Sequence, residues 1–373
     1  MRVVICPDKF AGTLSAPEAA ACIGDGWAES APDDELVRKP LADGGPGFVD
    51  VLAAAVDGVR IPVRACDPFG RPVNGEVLTV GDTAYVESAQ ACGLHLLSEA
   101  ERDPKATTSY GLGLLLAAAA ESGARRIVIG LGGSATNDGG AGMLAALDAA
   151  PLDEAGMALP YGGAALAGCA GLGGPPQLRG AQLVAATDVD NPLLGIHGAS
   201  AVFGPQKGAS RDDVLLLDAA LERFAGVLQR ELPGAPPDLA DLPGAGAAGG
   251  IGAALYALGG VRESGVDLIR RVIGFDAALD GADLVITGEG SFDFQSLRGK
   301  VVAGVAAAAA EHGAPCVVIA GQVSVGRREA SAAGIAETYA VADHVGGAER
   351  ALEKPAEGLR SLAATVARQW SRR

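Results

Sequence analysis

Arg126-Ile127-Val128-Ile129, followed at residues 130–142 by Gly-Leu-Gly-Gly-Ser-Ala-Thr-Asn-Asp-Gly-Gly-Ala-Gly, is the stretch on which the fold of this chain turns. An apolar β-branched run enters six glycines in thirteen positions, and an amphipathic helical run begins at Met143. A buried strand, a glycine loop and a helix in that order mark an α/β protein. Glycine reaches positive φ and lets a ligand approach the main chain, while Ser134, Thr136, Asn137 and Asp138 set short polar groups among bare amides. Placed between a strand end and a helix N-terminus, the loop reads as an anion site rather than a simple chain reversal.

Working outward, residues 2–6, 35–39, 183–187, 283–287, 316–320 and 338–341 read as further strands, most of them ending in a polar or glycine turn. Ser15, Pro17 and Glu18 form a helix start of the capping-box type. Residues 61–86 change texture to alternating strands around Asp67-Pro68-Phe69-Gly70-Arg71 and Gly81-Asp82, which predicts antiparallel hairpins set into an α/β frame. Residues 104–122 are expected to be helical. Val214, Leu217, Leu221, Phe224 and Leu228 give residues 211–231 an apolar stripe of core spacing. Strands alternating with helices predict βαβ units and a parallel sheet.

The chain has 373 residues, long for one core, so two domains are expected. Its formal net charge of −16 and its lack of a Lys/Arg run argue against a nucleic-acid partner. The longest low-charge run, residues 112–120, is too short to span a bilayer, and residues 1–8 lack the features of a signal peptide, so a cytoplasmic protein is expected. Six cysteines without a Cys-x-x-Cys pair read as reduced thiols, and four scattered histidines offer no zinc spacing.

Several polar clusters share one address. Asp8-Lys9, Asp43, the 130–142 loop, Asp188 and Asp190, and Gly288-Glu289-Gly290 each follow a predicted strand, the edge at which open α/β sheets bind ligands. Asp188 and Asp190 are two apart and point the same way if extended, which suits either Mg²⁺ or proton acceptance from a substrate hydroxyl. Lys207 sits on a Gly-Pro turn, and Asp293, Arg298 and Lys300 follow the second glycine turn. A Walker P-loop is absent, because Gly299-Lys300 is followed by Val301. The match at Gly244, Gly246 and Gly249 lacks a preceding strand and is set aside as a dinucleotide fingerprint. No Gly-x-Ser-x-Gly elbow supports acyl transfer. These residues point to a Mg-nucleotide enzyme acting on a small anion.

The runs at residues 7–16, 41–45, 67–73, 132–143, 188–193, 198–209, 243–250 and 286–290 resemble, in order, the signatures of the first family of bacterial glycerate kinases. The resemblance implies an α/β fold of two domains, a Rossmann-like parallel-sheet domain interrupted by a second mixed α/β domain. The corresponding boundaries are residues 1–63 plus 280–373 and residues 64–279, with the active site in the cleft between them. It further implies ATP-dependent phosphorylation of D-glycerate at the 2-hydroxyl, with Mg²⁺, by a monomer or homodimer. Carried onto this chain, Asp190 is the favoured base, Asp188 a base or metal ligand, and Lys207 the cation that stabilises transferring phosphate. Asp8, Lys9, Asp43, Arg71, Ser134, Asn137 and Asp138 are expected to bind substrate, Arg71 by pairing with its carboxylate. Gly288, Glu289, Asp293 and Lys300 are expected on the nucleotide, with Glu289 as a second metal ligand. The chain departs from the family pattern at Ala11, where Lys is frequent, and at Pro46, where Glu is frequent. Those departures keep open a kinase for a related hydroxy acid and a non-catalytic metabolite-binding regulator.

Overall fold

A computed structural model of the chain describes residues 1–10, 12–297 and 301–371, so Ala11, Arg298 and Lys300 lie outside the described residues. Eleven strands form its two main sheets: β1 (Arg2–Ile5), β2 (Glu35–Arg38), β3 (Val59–Cys66), β4 (Pro72–Val80), β5 (Thr83–Glu87), β6 (Arg126–Gly130), β7 (Gln182–Ala186), β8 (Val261–Glu263), β9 (Leu284–Thr287), β10 (Cys316–Ala320) and β11 (Ile335–Ala340). They divide between two compact units, Met1–Asp43 with Asp50–Val56 and Val266–Arg373, and Gly44–Val49 with Asp57–Gly265.

The first unit is built on a parallel sheet in the order β11-β10-β9-β1-β2. Near-continuous apolar strands are what a sheet covered on both faces requires, and Val3, Ile5, Ile286, Val317 and Ile319 are fully buried. After β1 the chain caps the helix Ala16–Ser30, where Ser15 and Glu18 make the expected capping box. Trp27 of that helix is buried and donates its indole N–H to Asp34 at 2.9 Å. From β1 the chain moves to β2 on one side, and from β9 it moves to β10 and β11 on the other. The sheet therefore reverses its order between β1 and β9, where open α/β sheets form a crevice at their carboxyl edge.

The second unit carries a six-stranded mixed sheet in the order β8-β7-β6-β5-β4-β3. β3, β4 and β5 form the antiparallel hairpins expected from residues 61–86, and β5, β6, β7 and β8 run parallel. Glu87 pairs with Gly130 and Gly130 with Ala186, so three strands end side by side. The sequence boundaries at 63/64 and 279/280 fall elsewhere than the divisions between these units. β3 is paired with β4 from Val59 to Cys66, which ties residues 57–63 to the second unit. Residues 266–279 go with the first, where Ile269 and Phe275 are buried and Lys39 Nζ donates to Ile273 O at 2.5 Å. No helix among the described residues is long and apolar enough to cross a membrane.

Candidate active site

The glycine loop leaves β6 under close packing that only glycine allows. A Cβ on Gly132 would lie 2.6 Å from Gly45 Cα, and Gly133, at φ +65°, rests against the ring of Pro46. Pro46 thus fills the place beside the loop at Gly133. Asp138 is fully buried and accepts from Ser109 N and Oγ at 2.8 Å each, and from Gly140 N and Gly142 N at 3.1 Å each. Burial pushes its carboxyl pKa up, and the hydrogen bonds from Ser109 and the two glycine amides pull against that shift. Asp138 therefore braces the loop through four accepted hydrogen bonds. Asn137 Nδ2 donates to Ser200 Oγ at 2.9 Å, while its Oδ1 is buried without a hydrogen-bond partner among the described residues.

The segment that supplies Ser109 differs from expectation. Residues 104–109 are not helical; the helix is Tyr110–Glu121. Thr107, Thr108 and Ser109 are buried, and Thr107 Oγ1 donates to Ala135 O at 3.1 Å. Ser and Thr hydroxyls compete with helical backbone bonds, and here those of Thr107 and Ser109 bond the glycine loop while Thr108 Oγ1 accepts from Tyr110 N at 3.2 Å.

Lys207 completes the brace. It sits on the turn Pro205–Lys207 after the helix Ala199–Phe203 and is only 2% exposed. Its Nζ donates to Thr136 O at 2.7 Å and to Ser134 Oγ at 3.0 Å. Burial brings its pKa down to about 8, with Asp138 pulling upward, so the ammonium persists at neutral pH. The segment set aside as a dinucleotide fingerprint serves the same loop. Ala248, Gly249 and Gly250 are all left-handed, and a Cβ on Gly249 would lie 2.0 Å from Thr136 O.

At the end of neighbouring β7, Thr187 is buried and Asp188 and Asp190 are exposed. Each carboxylate is oriented from β8 or the residues just after it. Ser264 Oγ donates to Asp188 Oδ1 at 2.6 Å, and Arg262 pairs with Asp190 Oδ1 at 2.6 Å. Arg71 is already engaged, with Nε 2.5 Å from Asp67 Oδ2 and Nη1 2.6 Å from Glu101 Oε1. A substrate carboxylate would meet a guanidinium already paired with two protein carboxylates.

The remaining sequence-predicted residues gather in the first unit. Asp8, buried after β1, accepts from Lys9 N at 2.7 Å, and Lys9 Nζ lies 3.7 Å from Asp8 and 4.0 Å from Asp43. Gly288, after β9, approaches β10 so closely that a Cβ would lie 1.9 Å from Ile319 O. Glu289 is half-buried beside it. Asp293 accepts from Gln295 N at 2.7 Å, a turn-capping role. Among the described residues no group of three or more His, Cys, Asp or Glu side chains is arranged to hold a metal ion.

The sequence profile of the glycerate kinase family matches residues 3–371, nearly the whole chain. The chain belongs to the glycerate kinase family. It is 41% identical to a protein of Escherichia coli K12 named glycerate 2-kinase, covering 98% of both chains. It is 40% identical to one of Bacillus subtilis 168 named glycerate kinase, covering 98% of this chain and 97% of the other. The crystal structure of a Salmonella typhimurium LT2 protein named glycerate kinase 2 superposes with a TM-score of 0.82 at 40% identity, covering 99% of this chain and 98% of the other. Membership of the glycerate kinase family makes the chain a kinase, for which ATP is the phosphoryl donor. Ser109, Ser200, Arg262 and Ser264 were missed in the sequence, because each acts by orienting a neighbour and none lies in a polar cluster at a predicted strand end.

Proposed function

We propose that this glycerate kinase family member transfers the γ-phosphoryl group of ATP to the 2-hydroxyl of D-glycerate, releasing ADP and 2-phosphoglycerate. The observation that carries the reading is the paired ends of β6 and β7. One delivers an amide-rich loop braced by a buried ammonium, and the adjacent one delivers two exposed, oriented carboxylates. Phosphoryl transfer asks the protein chiefly for positioning and charge stabilisation, which this pair supplies.

In this reading Asp190 accepts the hydroxyl proton as the glycerate oxygen bonds to the γ-phosphorus and the bond to the ADP oxygen breaks. Arg262 fixes the direction of that carboxylate. Lys207 is a positioning residue that holds Ser134 and the Thr136 carbonyl and sets positive charge beneath the loop. Mg²⁺ takes one or two protein carboxylates and fills its other positions with water and phosphate. The exposed carboxylate of Asp188 fits that demand without a three-acid cluster, and a bound Mg²⁺ would neutralise charge on the phosphates. Glu289, Gly288 and Asp293 are assigned to the nucleotide. Asp8, Lys9 and Asp43 are assigned to substrate together with Ser134 and Asn137.

A panel of small hydroxy acids tested for ATP-dependent ADP release decides among the readings. D-glycerate is expected to support the fastest turnover, with EDTA stopping it. A faster acceptor would move the assignment to a related hydroxy-acid kinase, and no turnover with any acceptor would favour a metabolite-binding regulator.

A further inference from the structure

The first unit contains an apolar cavity of about 220 Å³ that the residues discussed so far do not explain. It opens where the parallel sheet reverses its order, with walls from the loops after β1, β9 and β10, from the start of the helix Val341–Val345, and from the helix Ala348–Glu353. This is the carboxyl-edge crevice at which open α/β sheets bind ligands.

The chemistry of the walls narrows the occupant. Among the described lining residues none is charged, and those residues offer apolar and neutral polar contacts. Phe10, Val341 and Leu352 supply apolar surface, and Leu352 is 61% exposed, a large apolar side chain left open to solvent. Thr13, Ser291 and Gln322 add neutral hydrogen-bonding groups. Gly290 and Gly321 form a ledge without side chains, since a Cβ on Gly321 would lie 2.4 Å from Gly290 O. Two short parallel strands, Ser291–Phe292 and Gln322–Val323, hold that ledge. A flat group can lie against such a surface. The volume is below the roughly 300 Å³ at which pockets begin to enclose a whole drug-sized ligand, and so suits one ring system.

We propose that this cavity seats the purine base of ATP, with Phe10 and Leu352 against the ring and Thr13, Ser291 and Gln322 toward its nitrogens. The assignment rests on the kinase reading. It places the base beside the Gly288-Glu289-Gly290 turn, so the nucleotide follows one continuous sheet edge.

Photolabelling of the full chain with 8-azido-ATP tests the assignment. Label is expected in the peptides carrying Phe10, Ser291 or Leu352, displaced by ATP and not by D-glycerate. As a second measurement, Ala348→Phe, which narrows the cavity from its half-exposed rim, is expected to raise KM for ATP about tenfold with KM for D-glycerate and kcat nearly unchanged. ATP-protected label elsewhere in a chain that still turns over ATP would overturn the cavity assignment and leave the kinase reading standing. No protected label and no ATP turnover would remove both. Should Ala348→Phe fail to fold, the labelling of the unaltered chain still decides.

Discussion

Asp190→Asn is expected to lower kcat by about 10²–10⁴-fold, the usual contribution of a positioned acid or base. The substitution keeps the shape of the side chain and removes the proton acceptor. Stability is expected to change by no more than about 1 kcal/mol, because the ion pair with Arg262 is at the surface and the Asp190 side chain is 79% exposed. Circular dichroism melting and steady-state kinetics on the same preparation separate the two effects. Turnover like that of the unaltered chain would end the assignment of Asp190 as base. The contrast with Asp188 is informative, since Ser264 Oγ donates to its carboxylate at 2.6 Å.

Lys207→Met carries the second large effect, and it acts on stability and rate together. Methionine nearly matches the length of lysine but leaves the buried Thr136 carbonyl without the bond that Lys207 Nζ donates at 2.7 Å, a loss of about 1–3 kcal/mol. Release of Ser134 and loss of the charge beneath the loop are expected to lower kcat by about 10²-fold, comparable to removing one donor from an anion hole. The pH dependence distinguishes the charge from simple packing. With the pKa of Lys207 brought down to about 8, activity is expected to fall above that pH as the ammonium loses its proton. Over the interval from about pH 8 to the ordinary lysine value near 10.4, the unfolded chain binds more protons at this site than the folded one. The contribution of Lys207 to stability therefore rises with pH across that window while activity declines. A pH–rate profile that stays flat through pH 8–9 would show that the ammonium is not required.

Much of the architecture is legible in local pattern because each strand end carries its own punctuation. The apolar runs of β1, β6, β7, β9 and β10 are bounded by turns that the sequence marks with Asp, Gly or Pro, and the Ser15–Glu18 capping box fixes a helix start. Hairpins β3 to β5 announce themselves by alternation and by the turns at Asp67 and Gly81. What the pattern could not show is where polar side chains turn inward. Asp138 and Lys207 look like surface chemistry in sequence and are buried braces in the fold. Residues 104–109 look helical by composition, yet long-range bonds from Thr107 and Ser109 to the glycine loop outweigh that propensity. The run at 243–250 is a chance dinucleotide fingerprint in one dimension. In three dimensions its left-handed glycines let it press against Thr136. Each of these depends on a partner tens of residues away, which no local pattern reports.

The central claim is the transfer of phosphate to the 2-hydroxyl of D-glycerate, and proton-coupled phosphorus NMR of the product reads it directly. With ATP, Mg²⁺ and D-glycerate, the new phosphate monoester is predicted to appear as a doublet, split by the single hydrogen on C2. A triplet, from the pair of hydrogens on C3, or the absence of any new monoester, would contradict the account.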